Sequence, residues 1–175
     1  PGTGGTFVIA AKVSGSYYAF PNTYTTTSAK FNGVLIDIPY GYIEEDDAKD
    51  LAIELIYDTS NGKYLIYNGS YYLRYPSSTN VGGTDSKYYW TIEKGVNGSW
   101  RLVSTTPPRG LVYRAGSYRT WGGYYFPNVT AGSKEYFDVE LIPVASKVCN
   151  HVLDRGVVTT KPTCTTPGIE TYTCT

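Results

Sequence analysis

The chain has no methionine, one histidine and three cysteines, and the histidine and cysteines all lie at the C-terminal end as Cys149, His151, Cys164 and Cys174. With no thiol or imidazole before Cys149, a Ser-His-Asp or Cys-His centre cannot be built within the body of the chain. Long apolar runs are also missing. Residues 7–11 and 34–38 are far shorter than the roughly 20 residues a membrane helix needs, so no membrane insertion is expected. Neither charge sign is in excess, since 15 Lys and Arg balance 15 Asp and Glu. Without a basic block to neutralise phosphates, a nucleic-acid partner is excluded. The lack of methionine reads as a processed product or a piece of a larger protein. On that reading residues 1–5, PGTGG, end a linker, and any export signal lies upstream.

What is present is tyrosine and glycine, 19 of each, with 10 prolines and only 17% charged residues. This is a β-rich, turn-rich composition of the kind common in secreted proteins, so an extracellular or cell-surface location is expected. A length of 175 residues suits one domain with a short appendix. Period-2 apolar patterning predicts strands at 6–13, 16–20, 33–38, 51–58, 63–67, 71–75, 88–94, 99–104, 110–114, 123–126 and 136–142. The connectors SG, SNG, NGS and VNGS supply hairpin turn chemistry, because Gly and Asn accept positive φ. EEDDAKD at 44–50 is the best candidate for a helical turn, with acids at its N-terminal end.

The strands repeat. GTFVIAAKVSGSYYAFPN, GKYLIYNGSYYLRYPS and GSWRLVSTTPPRGLVYRAG each hold a strand, a tight turn and a second strand. Each is followed by a polar stretch and an apolar strand: LAIELIYD, YYWTIEKG and EYFDVELIPV. Three four-strand units predict an all-β, β-trefoil-like barrel over residues 6–145, with a two-sheet β-sandwich as the alternative. Residues 146–175 form the appendix.

YYAFPN, YYLRYPSSTN, RGLVYRAG and EYFDVELIPV together resemble an uncharacterised all-β module of large secreted and surface proteins of gut bacteria. The likeness covers roughly residues 5–144. A looser likeness to ricin-type lectin trefoils lacks their Gln-x-Trp signature; YYW at 88–90 keeps only the Trp. The end of the chain, with Cys-x-His at 149–151 followed by Cys164 and Cys174, is similar to a tandem Cys/His repeat of gut Clostridia surface proteins, here cut short. Cys149, His151, Cys164 and Cys174 are candidate zinc ligands; a disulfide and free thiols remain the other readings, all of them structural. No cofactor is expected.

Adjacent tyrosines on a strand send one ring to each face, so about half of them meet solvent or a ligand. Exposed aromatic faces bind the apolar face of a sugar while nearby polar groups take its hydroxyls, and the same rings suit a protein interface. The first candidate segment is YRAGSYRTWGGYYFPN at 113–128, with Trp121, Tyr124 and Tyr118 as stacking rings and Arg119 and Asn128 as hydroxyl partners. Its non-binding reading is a cation stacked on Trp121 or Tyr118. A second segment, 75–90, offers Asn80, Asp85 and Tyr88. Carboxylates for glycoside hydrolysis would come from Asp37, Asp85 and the 44–47 acids, but the 44–47 acids read better as a solvated turn or a helix start, with a weak cation site as a further reading. The expectation is a non-catalytic, lectin-like module of a bacterial surface or secreted multidomain protein, with a host or dietary glycan as partner beside the flanking domains of the parent chain. The alternative is an adhesin module bound to a host protein, or a spacer.

Overall fold

The computed structural model describes residues 4–77, 79–105, 108–125, 135–145, 156–160, 163 and 168–171. The first third of the chain contributes β1 (Gly4–Val13), β2 (Ser16–Ala19), β3 (Phe31–Asn32), β4 (Val34–Ile36), β5 (Ile43–Glu44) and β6 (Ala52–Asp58). The middle contributes β7 (Lys63–Tyr67), β8 (Tyr72–Ser77), β9 (Asn80–Thr84) and β10 (Tyr89–Lys94). After a short 3-10 turn at Val96–Gly98 come β11 (Trp100–Thr105), β12 (Pro108–Arg114), β13 (Thr120–Tyr124), β14 (Glu135–Tyr136) and β15 (Glu140–Ala145). Two further strands, β16 (Val157–Thr160) and β17 (Ile169–Thr171), pair only with each other. Cys149, His151, Cys164 and Cys174 lie outside the described residues.

The fold is all-β, as the composition implies. Strands β1 to β15 make one branched sheet, antiparallel except where β15 meets β5 in parallel. Its main path runs β3-β13-β12-β11-β10-β7-β6-β1-β15-β5. One isolated antiparallel bridge, Trp100 to Val139, joins the start of β11 to the residue before β15 through two 2.8 Å hydrogen bonds. Three antiparallel pairs extend the sheet, two of them off this path and one at its end: β2 with β4 pairs Tyr17 to Ile36, β8 with β9 pairs Tyr72 to Thr84, and β12 with β13 pairs Gly110 to Tyr124. They also touch one another. Ala29 bridges Val81, and the Gly123 amide donates to the Thr79 carbonyl.

β1 explains why the core is double. Val8, Ile9, Ala10 and Ala11 are all fully buried, which a half-exposed strand would not show. Alternation sends Ile9 and Ala11 into the main core with Phe20, Ile53, Leu55, Leu73, Trp90, Leu102, Leu111 and Trp121. Val8 and Ala10 point the other way, into a second cluster with Ile43, Ala48, Leu51 and Ile142. The acidic stretch 44–50 is what closes that second cluster. It forms hydrogen-bonded turns, with Ala48 N donating to Glu44 O and Ala52 N to Ala48 O, so Ala48 and Leu51 face inward. Burying a side chain such as Ile43 or Leu51 contributes about 1.5–3 kcal/mol, enough to hold this turn against β1.

Two of the strands that departed from the sequence pattern carry paired glycines. β9, with sequence NVGGT, was not expected, because paired glycines have poor strand propensity. Here the glycines are what allow close approach: a Cβ on Gly82 would lie 2.9 Å from Ser28 Cα, and one on Gly83 2.7 Å from Tyr71 Cβ. β13 runs from Thr120 rather than from Gly123, for the same reason.

Candidate functional site

The segment 37–47, DIPYGYIEEDD, leaves β4 and returns through β5 to the acidic turn. Its apolar residues fix its path: Ile36 and Ile38 pack half-buried against the second core, and Ile43 sits within it. β5 is held further by its parallel pairing to Val144 and Ala145, and the Glu45 amide donates to the Ala145 carbonyl at 3.1 Å. Between these anchors Pro39 and Gly41 bend the chain, Gly41 at φ 78°. The residues flanking Gly41 are therefore thrown outward.

Those residues are Tyr40 and Tyr42. Their rings stack with centroids 5.9 Å apart and planes 27° from parallel. Tyr40 is 74% exposed, the most exposed large aromatic among the described residues. Together with Ile36, Asp37, Pro39, Ile43, Glu44 and Asp47 the pair lines a concavity of about 280 Å³. A second shallow depression, lined by Gly15, Ser16, Tyr17 and Leu35, continues from it through the shared Ile36 and Asp37. Asp37 accepts the Ile38 amide at 2.9 Å. Asp37, Glu44 and Asp47 form no ion pair among the described residues, so their outer oxygens remain available to a ligand. No group of three His, Cys, Asp or Glu side chains among the described residues is arranged to hold a metal ion.

The residues singled out from sequence fall elsewhere. Trp121 is fully buried, its indole donating to the Ala19 carbonyl at 3.0 Å and its ring meeting Phe20 and Tyr113. It is core, and no sugar reaches it. The flanking glycines explain the error: Gly122 and Gly123 let the strand sink against Thr79 O and the Tyr75 ring, which turns Trp121 inward rather than presenting it on a Gly-rich loop. Tyr124 is 9% exposed and packs with Val112 and Phe137, so it too is unavailable as a platform. Tyr118 is exposed, but the Arg114 guanidinium lies 4.0 Å over its ring, the stacked cation of the non-binding reading. Arg119 is exposed at φ 47°, and its carbonyl accepts the Gly33 amide. Asn128 lies outside the described residues.

In the second segment Asp85 is exposed and Asn80 half-buried in β9. Tyr88 is turned inward, its hydroxyl donating to Tyr75 O at 3.4 Å and its ring edge-on to Trp90. The neighbouring Tyr89 hydroxyl is held by Asp58 at 2.8 Å. The same hairpin register puts Asp37 after Ile36 and Asp85 after Thr84, so the two acids occupy equivalent places. Beside Asp37 one aromatic, Tyr40, is left in solvent, whereas Tyr88 and Tyr89 near Asp85 are half-buried. The signal for this site was in the sequence: tyrosines next to Pro39 and Gly41 lie on a turn, not on a strand, and cannot be core.

No helix among the described residues is long and apolar enough to cross a membrane. No protein-family model matches the chain, and no curated protein matches it. Among solved structures it is similar to Cry35Ab1, with a TM-score of 0.52 and 14% identity over 92% of this chain. The chain spans 40% of the length of Cry35Ab1. At that identity the likeness concerns the fold.

Proposed function

We propose that this chain is a non-catalytic carbohydrate-binding module of a secreted or surface multidomain protein, and that the glycan sits on Tyr40 and Tyr42. The observation that carries the reading is the stacked pair of exposed Tyr40 and half-buried Tyr42 lining a concavity whose polar wall is Asp37, Glu44 and Asp47. Aromatic faces take the apolar C–H face of a sugar, and carboxylate oxygens accept its hydroxyls. The site is built on a turn clamped by Ile36, Ile43 and Ala48, so little ordering entropy is lost on binding. Weak affinity at one shallow site suits a module whose neighbours add avidity.

The organisation we propose for the domain is the β-trefoil. Its six barrel strands would be β1, β6, β7, β10, β11 and β15, which pair in that order, with the Trp100 to Val139 bridge as the sixth contact. The β2–β4, β8–β9 and β12–β13 pairs would be its cap. Support comes from their common antiparallel pairing and their mutual contacts.

A second reading has one observation in its favour. Leu35 is 66% exposed and Val34 39%, an apolar strip beside the same groove that a protein partner would cover. A glycan array probed with the wild type and with a Tyr40→Ala/Tyr42→Ala variant, both checked by circular dichroism, separates the two. Binding to a defined glycan set that the folded variant loses supports the carbohydrate reading. Silence of the wild type across a broad array removes it and leaves the protein interface.

A further inference from the structure

The charge around the groove is far from that of the chain as a whole. Residues 37–50 hold six acids, Asp37, Glu44, Glu45, Asp46, Asp47 and Asp50, against the single base Lys49, although the whole chain is neutral. Three of these acids line the tyrosine concavity, and no Lys or Arg does. Neither Lys12 nor Lys49 lines it, although Lys12 stacks on Tyr17 in the adjoining depression. Lys49 lines a separate depression with Glu45 and Asp46, and Lys12 lies 5.1 Å from the Tyr17 ring centroid.

An anionic ligand entering this groove would meet carboxylates with no counter-charge. A protonated amine would meet both features the groove offers: electron-rich tyrosine faces, which attract cations through the ring quadrupole, and carboxylates, which pair with ammonium directly. We infer that the groove selects glycans carrying free amino groups, such as glucosamine oligomers, over their N-acetylated counterparts, and rejects uronic, sialylated and sulfated glycans. This rests on the carbohydrate reading above and names its ligand class. The acids act as a selectivity filter on an aromatic platform, because repulsion of the wrong charge discriminates as effectively as attraction of the right one.

The test compares three hexasaccharides of matched length by isothermal titration calorimetry on the full chain: glucosamine, N-acetylglucosamine and galacturonic acid. Mildly acidic pH is used, where the sugar amines are protonated. The expected result is glucosamine binding about five- to tenfold tighter than N-acetylglucosamine at low salt, the preference shrinking as salt is added, with galacturonate not bound. An Asp37→Asn/Asp47→Asn variant should bring the first two ligands close to parity, both bound more weakly than by the wild type because hydroxyl acceptors are altered, with an unchanged circular dichroism spectrum showing that the variant is folded. Equal or tighter binding of the neutral or acidic hexamer would overturn the selectivity and leave the carbohydrate reading standing. If none of the three binds and a broad array is also silent, the carbohydrate reading fails and the selectivity with it.

Discussion

The indole nitrogen of Trp121 donates a hydrogen bond to the carbonyl of Ala19, 3.0 Å away and 102 residues earlier in the chain. That bond ties the third hairpin to the first, and the ring around it fills the space between Phe20 and Tyr113. Trp121→Ala should therefore cost about 3–5 kcal/mol in urea unfolding. Trp121→Phe should cost less, keeping much of the packing while forfeiting about 1 kcal/mol for the hydrogen bond. In the folded Phe variant glycan binding should be unchanged, since the residue has no exposed surface.

Gly123 and Tyr75 form a second such pair. A Cβ at Gly123 would come within 2.3 Å of Tyr75 Cδ2 and 2.6 Å of Cε2, and Tyr75 is buried, with the Arg109 guanidinium 4.9 Å from its ring centroid. Gly123→Ala is expected to destabilise by about 1–3 kcal/mol through overpacking. In a Tyr75→Ala background the same change should cost almost nothing, so the double-mutant cycle should show strong non-additivity. Additive costs would mean that the ring is not what the glycine accommodates.

At low pH the relevant group is Asp58. It accepts the Ser60 hydroxyl, the Tyr89 hydroxyl and the Ser60 amide, which together hold its carboxyl below the ordinary range. A carboxylate with a depressed folded pKa stabilises the fold above its unfolded pKa, and that contribution disappears as pH falls through the folded pKa. The urea midpoint of the wild type should accordingly fall below pH about 4, and Asp58→Asn should show a flatter dependence over the same window.

The alkaline limb has the opposite sign. Burial raises the phenol pKa of Tyr24, and also those of Tyr64, Tyr75 and Tyr113, above the ordinary value. Their neutral forms favour the fold below the unfolded pKa, and the advantage is lost as pH rises from about 10 towards the folded values. Tyrosinate absorbance should show one set of tyrosines ionising in the folded protein and a second set ionising only as circular dichroism reports unfolding. Tyr24→Phe should weaken the loss of stability at high pH.

Strand positions were legible because alternation is a local property. The prediction at 63–67 coincides with β7, and those at 51–58 and 99–104 fall within a residue of β6 and β11. β9 was not legible, because Gly82 and Gly83 become strand only through contacts with Ser28, Thr25 and Tyr71, which are remote in sequence. The same long-range effect hid the fate of Trp121: a Gly-rich flank reads as a loop, and only the Thr79 carbonyl and the Tyr75 ring packed against those glycines show that it is a buried strand. Tyr40 and Tyr42 were within reach of the sequence. Pro39 and Gly41 mark their turn, but the richer aromatic run at 113–128 drew the assignment, and the packing that turns its Trp121 and Tyr124 inward has no local signature.

The most direct test of the binding assignment is an amide NMR titration of the isotopically labelled chain with an oligosaccharide that it binds on the array. The account predicts that the shift changes centre on residues 37–47, with smaller effects at 15–17 and 35, and that Tyr40→Ala weakens binding about tenfold or more while leaving Tm nearly unchanged. Shift changes centred on 80–88 or 114–125, with 37–47 undisturbed, would contradict it.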